Sequence, residues 1–194
     1  MRFILASSSP RRKELIGSLG IPFEIIKPDI DETQHPSENP FDYVQRLSIE
    51  KAQAIADQIE GDAAILAADT IVVLAADTIG VAEDGELLGK PANAAEARAM
   101  LKKLRNRAHI VCTAFTLRQV NGKTITQMVK TNVYMRDYTD AEIEAYIATG
   151  DPFDKAGSYA IQHEEFAPVE RIEGDRNNVI GLPLDAVKAA LSSL

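Results

Sequence analysis

The sequence predicts an α/β fold, with a mixed, twisted β-sheet flanked by helices, and three observations support this class. Short apolar segments typical of buried strands alternate with segments that carry helix-capping residues. An Asn121-Gly122 pair between two apolar runs indicates an antiparallel hairpin, so we do not expect a purely parallel sheet. The 194 residues fit one domain over 1–194, or one domain divided into two lobes around a cleft.

The N-terminal part of the chain predicts two strands and two helices. Ser9 and Pro10 suit the N-cap and the first position of a helix that Gly20 ends. Asn39 and Pro40 open a longer helix in the same way. The expected elements are a strand at 4–6, a helix at 10–19, a strand at 23–26, a polar loop at 29–33 and a helix from 40 to about 59.

A strongly apolar segment at 64–74 predicts a buried strand, and a repeat overlaps its end. The pentapeptide that starts at Ala67 recurs from Ala75. We interpret this as a local duplication that lengthens a hairpin, with its turn near Asp84-Gly85. The other expected elements are helices at 93–104, 139–150 and after 183, and strands at 110–117, 124–134 and 166–172.

Composition narrows the class of protein. A hydrophobic content of 45% and a charged content of 26% are typical of a soluble globular chain. The net charge of −8 argues against binding to polymeric nucleic acid. The single cysteine, Cys112, excludes a disulfide within the chain and favours a reducing compartment. No apolar run approaches the ~18 residues of a membrane helix, so we expect a cytoplasmic protein without a membrane partner.

The start of the first predicted helix carries cations where the helix dipole disfavours them. Arg11, Arg12 and Lys13 crowd this turn, at a cost of ~0.3–1 kcal/mol each. A bound phosphate would offset that cost, because it accepts from free N–H groups, serine hydroxyls and an arginine together. The alternative is a solvated basic turn. Three cations after a serine triplet and a proline favour the anion site.

Lys51 and Asp69 are the next candidates. Lys51 falls within the apolar arc of the second helix, where it either extends past apolar surface to solvent or presents its ammonium to a phosphate. Asp69 ends an apolar strand, where a carboxylate can bind a metal or orient a water molecule. The loop residues Asp29, Asp31 and Glu32 are candidates for the same site.

These segments together resemble the signature of the Maf family. The resemblance starts at Leu5-Ala6-Ser7-Ser8-Ser9-Pro10-Arg11-Arg12 and runs in order along nearly the whole chain. Any one short match would be weak, whereas the ordered set is highly specific. The other matching segments are Ile49-Glu50-Lys51-Ala52, Ala67-Ala68-Asp69-Thr70, Leu88-Gly89-Lys90-Pro91, Asp154-Lys155-Ala156-Gly157, Tyr159-Ala160-Ile161-Gln162 and Asn178-Val179-Ile180-Gly181-Leu182-Pro183.

The resemblance implies a fold like that of inosine triphosphate pyrophosphatases and an enzyme that hydrolyses a nucleoside triphosphate to the monophosphate and pyrophosphate. It implies a divalent cation, Mg²⁺ or Mn²⁺, with Glu32 and Asp69 as metal ligands, and suggests a homodimer. Asp69, Glu32 and Lys51 match the catalytic positions. The phosphate-binding positions match Ser8, Arg11, Arg12, Lys90 and Lys155.

The implied substrates are dTTP and UTP, with modified pyrimidine nucleotides as further candidates. Arg11, Thr70 and Gln162 match the markers of the subfamily that acts on these nucleotides. Two alternatives stay open: a nucleotide-binding regulator of cell division with little turnover, and a relative that acts on 7-methyl-GTP or purine nucleotides. Arg11 and Gln162 argue against the latter.

Two departures from the family pattern affect the predicted site. The duplication supplies a second candidate carboxylate, Asp77, which fits the interval measured back from Lys90. Asp69 fits the interval measured from Lys51, and we favour it because the preceding helix and strand fix its location. His163 stands where the family more often has glycine, which bears on the shape of the base pocket.

Overall fold

The computed structural model describes residues 1–74 and 86–194, and within these ranges it contains a mixed sheet of seven strands. The strand order is β2-β1-β3-β5-β6-β7, with β4 beside β3. β1 runs parallel to β2 and β3, whereas the β3–β4 and β6–β7 pairs are antiparallel. The predicted mixed α/β class is confirmed. The strands are β1 Arg2–Ala6, β2 Glu24–Ile25, β3 Ala63–Leu74, β4 Glu86–Leu88, β5 Ala108–Gln119, β6 Thr124–Met135 and β7 Val169–Glu173.

Most predicted helices begin at the expected capping residues. Ser9 accepts from the Arg12 N–H, Asn39 from the Phe41 N–H, and Thr139 forms a full capping box with Glu142. One short helix, α5, was not predicted. The helices are α1 Pro10–Gly17, α2 Pro40–Ala56, α3 Ala94–Leu104, α4 Asp140–Ala148, α5 Arg176–Ile180 and α6 Leu184–Leu191, with 3₁₀ turns at Asp151–Asp154 and Ala156–Ser158.

Several predicted boundaries differ from the observed ones. α2 ends at Ala56, and α1 ends at Gly17 and continues as a turn to Gly20, whose φ is 69°. The strand predicted from 166 begins at Val169, because Ala167 has a φ of 37° that breaks the extended conformation. The second copy of the repeat and the predicted turn at Asp84-Gly85 lie outside the described residues.

The chain forms two compact units. The first comprises Met1–Thr70, Thr113–Val129 and Asn177–Leu194. The second comprises Ile71–Cys112 and Lys130–Arg176.

The first unit has apolar side chains on both faces of its strands. Because side chains alternate along a strand, Leu66 of β3 packs with Ile16 of α1 and Val187 of α6, whereas Ile65 packs with Ala52 and Ile55 of α2. Helices α1 and α6 therefore cover one face and α2 covers the other. This alternation continues to the end of β3 and decides where its polar residues point.

The second unit contains a buried polar pair among apolar and aromatic side chains. His109 lies in β5, and its Nε2 is 2.7 Å from the Tyr159 hydroxyl. Burial lowers the pKa of His109 to about 3. Cys112, on the same strand, is fully buried, and burial raises the pKa of its thiol to about 12.

Across the described parts of the chain, no helix combines the length and apolar character needed to cross a membrane.

The buried histidine predicts a stability change with acid. The unfolded chain takes up a proton near the ordinary pKa of 6.5, whereas folded His109 does so only near 3. The free energy of unfolding should therefore decrease as the pH falls below 6.5, by at most about 1.4 kcal/mol per pH unit from this residue. Urea unfolding at pH 7 and pH 5 should show a smaller loss in His109→Gln than in the wild type. His35→Gln, at an exposed position, should follow the wild type.

Candidate active site

The middle of β3 carries two adjacent polar residues, Asp69 and Thr70, whose side chains point in opposite directions. The expectation that Asp69 ends its strand was wrong, because the apolar residues after Thr70 continue β3 to Leu74. Asp69 follows the face of Ile65, which α2 covers. Thr70 follows the opposite face, against which α1 packs. One stretch of β3 therefore supplies a carboxylate to α2 and a hydroxyl to α1.

Lys51 of α2 meets the carboxylate. Its side chain is 7% exposed, and Nζ donates to Asp69 Oδ1 at 2.7 Å. Nζ also lies 3.1 Å from Glu32 Oε1. The lysine in the apolar arc of α2 thus ends between two carboxylates. Burial of a charge is costly unless it is paired, and here the pairing groups are the predicted catalytic acids.

The charges of Lys51, Asp69 and Glu32 bear on whether this cluster can bind a metal ion. Two carboxylates and one ammonium alone carry a charge of −1, which the nearby Arg12 guanidinium offsets. Glu32 is 56% exposed and Asp69 15%, so solvent reaches the cluster mainly from the Glu32 side. In the described ranges, no three His, Cys, Asp or Glu side chains gather as a complete metal site. Two carboxylates nevertheless suit Mg²⁺, which commonly uses one or two of them together with phosphate oxygens and water.

The three serines before α1, at 7–9, have different environments. Ser7 is buried, and its hydroxyl oxygen accepts from the Ser9 N–H at 3.2 Å. Ser9 caps the helix by accepting from the Arg12 N–H. Ser8 is exposed, and Arg11 is half-buried. Two serines therefore shape the turn, and Ser8 presents its side chain to solvent.

Arg12 joins three segments of the first unit. Its guanidinium donates to the Ala68 carbonyl at 2.8 Å, to Thr70 Oγ1 at 2.9 Å and to the Gly181 carbonyl at 2.9 Å. Burial lowers the pKa of Arg12, and the negative charges of Asp69 and Glu32 oppose that shift. Most of the donors of this residue hold protein oxygens in place. Its predicted contact with a substrate phosphate stays a prediction.

Thr70 is held on several sides. It accepts from Arg12, donates to the Gly181 carbonyl at 3.3 Å and lies 2.9 Å from the Thr113 hydroxyl. Gly181 has a φ of 131°, a backbone conformation that side chains with a Cβ rarely adopt. This conformation of the turn after α5 brings the Gly181 carbonyl to Arg12 and Thr70.

The remaining predicted residues belong to the second unit. Lys90 and Gln162 are exposed. Lys155 is 9% exposed, and its Nζ donates to Asp151 Oδ1 at 2.8 Å and to Asp154 Oδ1 at 2.7 Å. The structure brings Asp69, Lys51 and Glu32 together, as the sequence predicts. Lys155 pairs with two other carboxylates, those of Asp151 and Asp154. Asp77 lies outside the described residues.

Sequence reasoning missed three residues beside this cluster. Tyr43 and Arg46 of α2 contact the loop that carries Glu32, and Glu38 belongs to that loop. Tyr43 and Arg46 lie one turn apart, in the same helix as Lys51, and this spacing is the signal that sequence offers. Both donate to backbone carbonyls of the loop, and no sequence pattern reveals such contacts.

A comparison with known protein families identifies the family of this chain. The family described as "Maf-like protein" matches residues 2–194. This chain belongs to the Maf family. The resemblance read from its motifs is thus confirmed over nearly its whole length.

Relatives within the Maf family carry a consistent name. A protein of Syntrophus aciditrophicus called dTTP/UTP pyrophosphatase is 44% identical over 194 residues, covering 100% of this chain and 90% of the relative. Its counterpart from Citrifermentans bemidjiense is 46% identical, covering 97% and 93%. The counterpart from Dictyoglomus turgidum is 41% identical, covering 97% and 94%.

Solved structures confirm the expected fold class. A HAM1 protein from Coxiella burnetii has a TM-score of 0.56 at 20% identity, with 100% of both chains covered. The Staphylococcus aureus Ham1 protein has a TM-score of 0.51 at 15% identity, with 100% of this chain and 99% of that chain covered. At this identity the likeness concerns the fold alone, which is the inosine triphosphate pyrophosphatase-like fold expected for a Maf protein.

The contacts of Arg12 predict a structural role that its neighbour lacks. Arg12→Ala leaves the carbonyls of Ala68 and Gly181 without this donor, which should lower the free energy of unfolding by about 1–3 kcal/mol. Lys13→Ala, at an exposed position in the same turn, should change it by less than about 0.5 kcal/mol. Urea unfolding measures both variants. Equal effects would show that the Arg12 contacts do not stabilise the fold.

Proposed function

We propose that this protein is a nucleoside triphosphate pyrophosphatase that hydrolyses dTTP and UTP to the monophosphate and pyrophosphate. The observation that carries this proposal is the contact of Lys51 with both Asp69 and Glu32. This cluster joins Asp69 of a buried strand to Glu32 of a loop, in a chain that is 41–46% identical to proteins named dTTP/UTP pyrophosphatase. Modified pyrimidine nucleotides are further candidate substrates.

The reaction needs a water molecule that loses a proton as it attacks. Asp69 is the general base in this proposal, because it is the less exposed carboxylate and is fixed within a strand. The water oxygen forms a bond to the α-phosphorus, its proton passes to Asp69, and the bond from the α-phosphorus to the bridging oxygen breaks. Pyrophosphate leaves with that oxygen. Lys51 donates to Asp69 Oδ1 and so holds the carboxylate in a fixed position.

A triphosphate is strongly anionic, so cations must offset its charge in this acidic protein. We assign phosphate binding to five residues, as the family resemblance implies: Ser8, Arg11, Arg12, Lys90 and Lys155. Ser8 and Lys90 are exposed to solvent, which supports their availability to a ligand. Arg12 adds a fixed positive charge beside Asp69 and Glu32.

A divalent cation, Mg²⁺ or Mn²⁺, fits the acidic pair. Glu32 and Asp69 would hold it, with Glu32 chiefly a ligand because Asp69 is the proposed base. When bound, the cation neutralises phosphate charge and assists the departure of pyrophosphate. Lys51 already holds both carboxylates on one side of the cluster.

Selection of the base is assigned to Arg11, Thr70 and Gln162. Thr70 lies within the hydrogen-bond network of Arg12, Gly181 and Thr113, so its hydroxyl has a fixed position. Our proposal also includes action in the cytoplasm, to which the single buried Cys112 is suited, and a homodimer, which the family resemblance suggests.

The substrate assignment is tested with a panel of nucleoside triphosphates in Mg²⁺ or Mn²⁺. Release of pyrophosphate and monophosphate should be fastest with dTTP and UTP and much slower with GTP, ATP and 7-methyl-GTP. Treatment with EDTA should abolish turnover, and added Mg²⁺ or Mn²⁺ should restore it. Absence of release from every nucleotide would reject the enzyme. Preference for 7-methyl-GTP would reject the substrate class.

The catalytic carboxylate is tested by paired variants of the repeated segment. Asp69→Asn should lower kcat by about 10²–10⁴-fold, as expected for loss of a general base. Asp77→Asn, the matched change in the second copy, should keep nearly wild-type kcat. Loss of activity in Asp77→Asn alone would show that the duplicate performs the reaction.

A further inference from the structure

Glu32 is the weakly supported member of the charged cluster. Its side chain is 56% exposed, and it lies in an irregular segment between β2 and α2. Lys51 and Asp69, by contrast, come from a buried helix face and a buried strand. A loop of this kind samples many conformations unless other contacts fix it, so the position of Glu32 requires an explanation.

Two side chains of α2 bind consecutive backbone carbonyls of the loop, those of Glu32 and Thr33. The Tyr43 hydroxyl donates to the Glu32 carbonyl at 2.8 Å. Arg46 Nη2 donates to the Thr33 carbonyl at 3.1 Å.

Arg46 is itself fixed by a forked ion pair with Glu38. Nε donates to Glu38 Oε1 at 2.7 Å and Nη2 donates to Oε2 at 2.8 Å. The side chains are only 18% and 11% exposed. This bidentate geometry is stronger and more directional than a single ion pair. Arg46 lowers the pKa of Glu38 to about 2, so the pair persists at neutral pH.

Glu38 also forms hydrogen bonds with other residues of the loop. Its Oε2 accepts from the His35 N–H at 3.0 Å, and its carbonyl accepts from the Gln34 side chain at 2.9 Å. The loop therefore has one anchor at Glu32–Thr33 and another at Glu38, and both anchors lead to α2.

Helix α2 thus carries both the ion-pair partner of the Glu32 side chain and the donors to its backbone. We propose that Tyr43 and Arg46, with Glu38, position the Glu32 carboxylate for the reaction; we call these three residues the Glu32 latch. The proposal rests on the function proposed above. Neither Tyr43 nor Arg46 is assigned a contact with substrate, and their effect passes through Glu32.

Tyr43→Phe and Arg46→Lys test the latch with small changes in shape. Each should lower kcat for dTTP by about 10–100-fold, as is typical for loss of a group that orients a ligand or catalytic residue. KM should change much less than kcat, because the latch acts on the reacting geometry and not on phosphate binding. Arg2→Gln breaks another forked arginine–glutamate pair, with Glu24, and should keep wild-type kcat.

A double-variant comparison separates positioning from general stability. If the latch acts through Glu32, Tyr43→Phe should lower kcat in the wild type and have almost no further effect in Glu32→Gln. If Tyr43→Phe lowers kcat by the same factor in the wild type and in Glu32→Gln, the proposal is overturned. Unchanged kcat in both Tyr43→Phe and Arg46→Lys would also overturn it.

Hydrogen exchange supplies a measurement that does not depend on turnover. Peptides that cover 31–38 should exchange faster in Tyr43→Phe and Arg46→Lys than in the wild type, and at the wild-type rate in Arg2→Gln. Unchanged exchange in these peptides would reject the latch even if activity fell. Faster exchange in a protein that hydrolyses no nucleotide would support the latch and reject the proposed function.

Discussion

The ammonium of Lys51 is the interaction on which the rest of the cluster depends. A lysine buried on an apolar helix face is stable only where anionic partners meet it, and removal of one partner leaves a costly unpaired charge. Asp69 from β3 and Glu32 from the loop meet this requirement together. The same contact that allows the lysine to be buried also gathers the two acids, so folding of the first unit assembles the cluster.

Strand alternation sets a second constraint. Two consecutive residues of β3 point to opposite faces, and each meets a charged side chain of the helix that covers that face. Asp69 meets Lys51 of α2, and Thr70 meets Arg12 of α1. A shift of one residue in the pairing of β3 with β1 would exchange these faces and separate both pairs. The parallel register of the two strands is therefore as much a part of the site as the charged residues are.

Much of this architecture follows from local sequence, and the remainder does not for identifiable reasons. Capping residues and apolar periodicity predicted the helices that carry Arg12 and Lys51, because those signals act within one turn. The motifs indicated Asp69, Lys51 and Glu32, which the structure brings together. The roles of Tyr43 and Arg46 could not be predicted, because they bind backbone carbonyls of a loop without regular structure. Arg12 was predicted to bind phosphate from its charge, and only the three-dimensional structure reveals the carbonyls to which it donates.

The contact between Arg12 and Gly181 has a consequence for biosynthesis. The two residues are 169 positions apart, and the Gly181 carbonyl accepts from both Arg12 and Thr70. During synthesis, Arg12 and Thr70 lack this acceptor until nearly all of the chain has been made. Their complete hydrogen-bond network can therefore form only after residue 181 has left the ribosome. Translation products that stop before residue 181 would carry every acidic residue of the cluster and still lack the carbonyl that accepts from Arg12 and Thr70.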